Sequence, residues 1–281
     1  MLTVYELFSA LHEETAVSWQ DVVQLLDILT QGSVRGLEIT AEKLGGHTLE
    51  SLLRARQTGQ PWEYILGYTT FMGLTFRCTP AALIPRAETE LLVKTVLAHI
   101  KTLGDTAVTI IDMGTGSGNI AVSLARHAPN AYLYASDISR EAVDLAQQHV
   151  TMHQLNGRVR LFCGDLFTPL PGHLRTQTDI IVCNPPYLPT KTIDNLPPEI
   201  KEHEPHVALD AGPYGLNIFR RLIKDALDFL KPGGVLAFEI GAGQAQMASR
   251  LLQKTGEYTH IRHHKDAAGE VRVLTAQKVT E

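Results

Sequence analysis

Asn184-Pro185-Pro186-Tyr187 follows directly on the apolar run Asp179-Ile180-Ile181-Val182-Cys183. An asparagine amide, a carbonyl from a residue without an N–H, and an aromatic ring are thereby presented together. Each proline fixes its own φ and holds the residue before it extended, so Asn184 and Pro185 have few alternative conformers. The chemistry such a group could do is to grip an NH₂ group with two acceptors: an amide oxygen stays neutral and resists protonation. The run before it reads as a buried strand that the prolines end at once. The carboxyl end of a strand is where open α/β sheets keep their ligands. Taken alone, the tetrapeptide also describes a strand stopping in a Pro-rich turn.

A second constellation is Asp112-Met113-Gly114-Thr115-Gly116-Ser117-Gly118, placed as the first strand-to-helix turn of an alternating region. Glycines there let the chain turn sharply and let a ligand approach the backbone, while the helix that follows offers free N–H groups. Asp137 ends the next strand, where an acid holds ribose hydroxyls in nucleotide-type folds; it also reads as a helix N-cap. Asp165, in Gly164-Asp165-Leu166-Phe167, falls where an adenine edge would lie, and also reads as a plain turn aspartate. Dinucleotide sites use Gly-x-Gly-x-x-Gly against a pyrophosphate. The spacing here is Gly-x-Gly-x-Gly behind Asp112, which suits a cofactor without phosphates whose cationic amino-acid end benefits from a carboxylate. S-adenosylmethionine is such a ligand.

The elements that must position these residues are strands at Ala107 to Asp112, Tyr132 to Asp137, Val159 to Cys163, Asp179 to Cys183 and Val235 to Ile240. Helical periodicity fills Glu88 to Ile100, Ile120 to His127, Arg140 to His153 and Leu216 to Phe229. This alternation predicts an α/β domain with a mostly parallel sheet covered on both faces. Pro232-Gly233-Gly234 reads as a tight turn feeding the fifth strand, and Val271 to Val279 as a last edge strand. Upstream, Val4, Leu7, Phe8 and Leu11 share a helical face. Ser18 and Asp21 precede Val22, Leu25, Leu26 and Leu29, and Thr48 precedes Leu49, Leu52 and Leu53. From Tyr64 to Thr79 the pattern is strand-like, with Gly67 and Gly73 as punctuation. The expected division is a helical docking domain over 1–62, a hairpin connector over 63–87 and the α/β domain over 88–281.

With 281 residues, 44% of them hydrophobic and 20% charged, the chain has ample core for this plan. Mean hydropathy is -0.02, and no apolar run is long enough to cross a bilayer. A formal net charge of -5 does not suit a protein whose affinity comes from neutralising a phosphate backbone. Cys78, Cys163 and Cys183 lack the pairing of a disulfide framework or zinc site, and the N-terminus lacks a basic n-region, so a cytoplasmic, reducing setting is expected. His203 and His206 do not have the spacing of a helical zinc motif, so no metal is expected.

Gly-x-Gly-x-Gly followed by Asn-Pro-Pro-Tyr resembles the class I S-adenosylmethionine-dependent methyltransferases that modify planar amide or exocyclic amine nitrogens. The likeness extends to Tyr64-Ile65-Leu66-Gly67, Phe71-x-Gly73-Leu74-x-Phe76, Leu83-Ile84-Pro85-Arg86-x-Glu88-Thr89-Glu90, Gly164-Asp165-Leu166-Phe167, Glu204-Pro205-x-x-Ala208-Leu209 and Pro232-Gly233-Gly234 leading to Glu239-Ile240-Gly241. Over nearly its whole length the chain is similar to the bacterial peptide chain release factor glutamine methyltransferases. That resemblance implies a Rossmann-like domain with a seven-stranded sheet, and methyl transfer to the glutamine of a Gly-Gly-Gln motif. It implies that Gly114, Thr115, Gly116, Ser117 and Gly118 cradle the methionine end of the cofactor, Asp137 the ribose, and Asp165 and Leu166 the adenine, with Asn184 beside the transferred methyl. Asn184, Pro185, Pro186 and Tyr187 would hold the target glutamine, with Asn184, Pro185 and Tyr187 catalytic. The implied partner is a release factor met by a monomer, with no direct nucleic-acid or membrane contact. Ala87 and Cys183 depart from the usual proline and serine, and no role is assigned to Arg86 or Glu88. The rival readings are an adenine N-methyltransferase, which must flip its base, a silent release-factor-binding module, and a nicotinamide dehydrogenase.

Overall fold

The computed structural model describes Leu25 and residues 49–280. The chain divides into two compact units, Met1–Pro80 with Leu196–Glu204, and Ala81–Asn195 with Pro205–Glu281. Apart from Leu25, which is helical and buried, the helical faces expected before residue 49 lie outside the described residues.

In the first unit, helix α1 (Leu49–Gln57) and helix α2 (Trp62–Leu66) precede a hairpin of β1 (Tyr68–Phe71) and β2 (Leu74–Arg77). The strand-like reading from Tyr64 is corrected at its start. Trp62, Ile65 and Leu66 bury one helical face, and Gly67 closes α2 in the left-handed conformation at φ 80°. The hairpin turn puts Met72 at φ 52° and Gly73 at φ 73°, the pair of left-handed residues that matches the twist of flanking strands. The antiparallel register runs from Tyr68 opposite Arg77 to Phe71 opposite Leu74.

In the second unit, helix α3 (Glu90–Thr102), preceded by a 3-10 turn at Ala87–Thr89, leads into a seven-stranded sheet. Its elements are β3 (Val108–Met113), α4 (Asn119–His127), β4 (Ala131–Asp137), α5 (Arg140–Met152), β5 (Val159–Cys163) and β6 (Thr178–Cys183). Short helices α6 (Thr190–Ile193) and, in the first unit, α7 (Pro198–His203) follow. The chain then continues through α8 (Asn217–Asp225), β7 (Leu230–Glu239), α9 (Ala245–Thr255), β8 (Tyr258–Lys265) and β9 (Val271–Lys278). The strand order is β5-β4-β3-β6-β7-β9-β8. β3 to β7 are parallel, and β9 pairs antiparallel with both β7 and β8.

Strand alternation sorts the core. Ile111, Met113, Ile181, Cys183, Leu236 and Phe238 join one buried cluster with Phe219 and Leu222 of α8 and Leu252 of α9. Each such apolar side chain contributes about 1.5–3 kcal/mol. The intervening residues, among them Ile110 and Ile180, are also fully buried, so the strands read as continuous apolar runs.

Three sequence expectations need correction here. Val271–Lys278 is not the edge: β8 occupies the edge, and its polar run Arg262-His263-His264-Lys265 hides the strand from a pattern reading. Pro232-Gly233-Gly234 lies within β7 as a bulge, where the pairing jumps from Thr178 opposite Leu230 to Ile180 opposite Val235. The helix expected over Leu216 to Phe229 is α8 followed by a 3-10 turn at Ala226–Asp228. Helix α9, ended by Gly256 at φ 73°, carries no expectation from the sequence.

Candidate functional site

Chain order reverses between β3 and β6: from β3 the chain builds outward through β4 and β5, then returns to lay β6 on the other side of β3. Such a switch point opens a crevice at the carboxyl ends of the strands. Register brings those ends level, with Met113 opposite both Ser136 and Cys183. A cavity of about 300 Å³ opens there. Its walls are residues 81–86 with Thr89, the Gly114–Ser117 loop, Ser136–Ser139, Asp165 with Leu166, Cys183–Pro186, and parts of 205–221.

The glycine loop is fixed from below. Gly114 N and Thr115 N donate to the Ser136 carbonyl at 2.9 and 3.0 Å, and Gly116 N donates to Asp137 Oδ2 at 2.8 Å. Buried His149 meets the Ser117 carbonyl through Nδ1 at 2.7 Å. Gly114 and Gly116 take φ 68° and 54°; Gly114 faces open space and Gly116 lies at van der Waals distance from the Ala82 side chain, so the backbone itself is the surface offered to a ligand. Gly118 does something else and does not line the cavity. At φ 78°, a Cβ there would come within 3.0 Å of Ala146 Cβ, so this glycine lets α4 approach α5.

Asp112 is wholly buried. Its Oδ2 accepts from Thr115 Oγ1 at 2.6 Å and from Ala121 N at 3.1 Å, while Oδ1 has no partner. Burial pushes this carboxyl up to about 7, against the pull of its two hydrogen bonds. Asp137 is raised by burial too, opposed by its backbone donors. It is not the helix N-cap: Ser139 caps α5 by accepting from Ala142 N, and Asp137 Oδ1 accepts from Ser139 N at 2.9 Å. Asp165 reaches the cavity and is ion-paired with Arg221 at 2.6 Å. Leu166 adopts φ 45°, and its carbonyl accepts from Ser136 Oγ at 3.0 Å.

Asn184, Pro185 and Pro186 line the cavity. Asn184 Nδ2 donates to Thr89 Oγ1 at 3.0 Å, and Oδ1 is neither bonded nor enclosed. Tyr187 is not among the lining residues. Its ring packs beside Gly241, its carbonyl accepts from Gln244 Nε2 at 2.9 Å, and its hydroxyl is 3.5 Å from Glu239 Oε1. Burial and the Glu239 charge push this phenol up to about 12.

Sequence reasoning missed Thr89 and Glu239 as site residues. Thr89 occupies the N-cap position of α3, yet its hydroxyl makes no cap bond and turns to Asn184. The only signal was its place in Arg86-x-Glu88-Thr89-Glu90. Glu239, 4% exposed at the end of β7, had as its one signal an acid closing an apolar run.

Residues 87–198 match the family model described as methyltransferase small domain. A release factor glutamine methyltransferase of Moorella thermoacetica is 42% identical over 226 residues, covering 80% of this chain and 78% of that protein. The chain belongs to the release factor glutamine methyltransferase family. A Gloeobacter violaceus protein of the same name is 38% identical and covers 86% of each chain. A solved methyltransferase from Pyrococcus furiosus, 19% identical, superposes with a TM-score of 0.53 over 74% of this chain and 90% of its own, which shows the fold. The chain is thus a class I methyltransferase whose methyl donor is S-adenosylmethionine, and the residues present fit that donor. The Gly114–Gly118 loop carries no basic side chain, and behind it Asp112, which does not itself line the cavity, keeps one buried carboxylate oxygen without a partner, an arrangement that fits a ligand with a cation and no phosphate.

Proposed function

We propose that the chain methylates the side-chain amide nitrogen of the glutamine in the Gly-Gly-Gln motif of a peptide chain release factor. The observation that carries the reading is Asn184 at the cavity wall, its Nδ2 engaged and its Oδ1 open. Gly114 to Ser117 would hold the methionine end of S-adenosylmethionine near Asp112, Asp137 the ribose, and Asp165 and Leu166 the adenine. Bound there, the donor supplies an electrophilic methyl on a sulfonium.

The acceptor is the difficult partner. An amide nitrogen is a poor nucleophile because its lone pair is delocalised, and the rotation barrier of about 18–20 kcal/mol gives the scale of that resonance. Two buried hydrogen bonds, at about 1–3 kcal/mol each, cannot offset it. They orient it. With Asn184 Oδ1 and the Pro185 carbonyl accepting both hydrogens, the lone pair faces the methyl group, and the acceptors stabilise positive charge as it grows on nitrogen. Alignment of this kind supplies about 7–11 kcal/mol relative to a bimolecular encounter, so positioning is the larger effect. No base is required at the transition state, since the methylated nitrogen sheds its proton readily afterwards. Tyr187 supports the loop that carries both acceptors, through its carbonyl and hydroxyl bonds.

We further assign release-factor docking to residues 1–62, with residues 63–87 as the connector, in a cytoplasmic monomer. Among the described residues no helix is long and apolar enough to cross a membrane. Incubation with methyl-labelled donor and either a purified release factor or duplex DNA tests the substrate assignment: label on the protein is expected, and label on adenine alone would overturn it.

A further inference from the structure

A second cavity, of about 630 Å³, lies between α3 and the β9–β8 edge of the sheet and shares no residue with the cavity at the strand ends. No carboxylate is among its described lining residues. It is instead walled by Lys94 and His99 on α3 and by His260, Arg262 and His264 on β8, in a chain whose formal net charge is -5. A bulge gathers the β8 residues. Pairing steps from Thr259 opposite Gln277 to Arg262 opposite Thr275, which leaves one extra residue on β8, and His260 takes φ 49° within that bulge. The extra residue shifts the phase of the strand. Tyr258 and Ile261 therefore both pack into the core, and His263 Nε2 meets Ser249 Oγ of α9 at 2.7 Å, while His260, Arg262 and His264 all reach the cavity on the opposite face.

The basic groups are not equivalent. Lys94 is tied to Glu90 at 2.7 Å, and Lys231 at the foot of β7 is tied to Asp179 on β6. The Arg262 guanidinium has neither a hydrogen bond nor an ion pair among the described residues. Burial and the Arg262 charge hold the His99 and His264 imidazoles below their ordinary value, opposed at His99 by Asp179 and reinforced at His264 by His263. An anion seated among them neutralises Arg262 and lets both imidazoles take a proton. Below these groups Ile180, Val235, Ala237 and Ala276 make an apolar floor, and the volume is that of a small-molecule site. A guanidinium fork flanked by imidazoles matches the several oxygens of a phosphate more fully than the two of a carboxylate. We propose that this cleft binds a small phosphomonoester, its phosphate held by Arg262 with His99 and His264 and its apolar or planar body laid on the floor. Binding there is independent of methyl transfer.

Phenyl phosphate is the probe, titrated by calorimetry into the full chain with S-adenosylmethionine already present, so that the first cavity is not the one being read. The expected Kd is below about 1 mM, with phenol, benzoate and inorganic phosphate each at least about tenfold weaker, because only the ester offers both the phosphate and the ring. At about pH 7.5, where the ester is a dianion, binding is expected to take up protons, seen as a heat that varies with the ionisation enthalpy of the buffer. The ring ¹⁵N resonances of His99 and His264, each assigned by its loss on substitution with Gln, are expected to titrate at higher pH with the ester bound. Arg262→Gln is expected to lose at least about tenfold in affinity for phenyl phosphate, and Arg262→Lys less, with Tm and donor affinity unchanged in both. No binding of phenyl phosphate, phenol or benzoate binding as tightly, wild-type affinity in Arg262→Gln, or binding without proton uptake would each overturn the assignment.

Discussion

In the proposed mechanism Asn184 acts as an acceptor that resists protonation, so removing its amide should separate binding from chemistry. In Asn184→Ala, donor affinity measured by calorimetry should stay within a few-fold, while kcat falls at least 10²–10³-fold, about the loss seen when a preorganised polar group is deleted from a transition state. Equal turnover would mean that the acceptor is gripped elsewhere. Asp112 makes the complementary case. Its carboxyl titrates at about 7 in the free protein because burial favours the neutral form. A cationic ligand end favours the ionised form, so donor affinity should weaken as pH falls through that range and reach a plateau above it. Asp112→Asn should bind weakly with no such slope, read by calorimetry between about pH 5.5 and 8.5.

At the scale of elements, the glycine loop divides its labour. Gly114 and Gly116 offer backbone to a ligand, whereas Gly118 lets two helices meet. Gly118→Ala places a Cβ 3.0 Å from Ala146 Cβ on a backbone at φ 78°, so it should destabilise by about 1–3 kcal/mol and lower Tm by about 2–4 °C for each kcal/mol. Donor affinity per folded molecule should change less. β3 and β6 were legible in sequence to within a residue because nearly all their positions are buried; β4, also within a residue, and β5, at Val159–Cys163 as read, were legible from their place in the strand–helix alternation. β8 was not legible, since an edge strand carrying Arg262, His263, His264 and Lys265 has no apolar alternation to show. α2 was misread because Trp62, Ile65 and Leu66 are too few for a clear period. In the site, Asn184 and the glycines were legible as motifs that break a strand. Thr89 and Glu239 were not: they reach the loop after β6 from the start of α3 and the end of β7, through Asn184 and Tyr187, which no local pattern encodes.

For the molecule as a whole, two buried carboxyls near neutrality shape stability, and one of them sets it against function. Asp112 and Glu239 have folded values near 7 against ordinary values of 3.8 and 4.5. A carboxyl raised in this way binds its proton more tightly when folded. Its contribution is therefore complete below the ordinary value and is lost as pH rises through about 7. Denaturant unfolding should show that contribution as a fall in stability between about pH 4 and 7 with a plateau above, and the combined Asp112→Asn and Glu239→Gln variant should flatten it. In the proposed mechanism donor binding runs the other way, since Asp112 is needed ionised there, so the enzyme would operate where this site is least stabilising.

The central claim is that this cavity presents one carboxamide nitrogen to one sulfonium methyl. Intact-mass analysis of a purified release factor incubated with S-adenosylmethionine and this protein tests it most directly, with fragmentation to place the modification. The expected result is a gain of one methyl group, located on the glutamine side chain of Gly-Gly-Gln and absent with Asn184→Ala. An unchanged mass, or a methyl placed on any other residue, would contradict it.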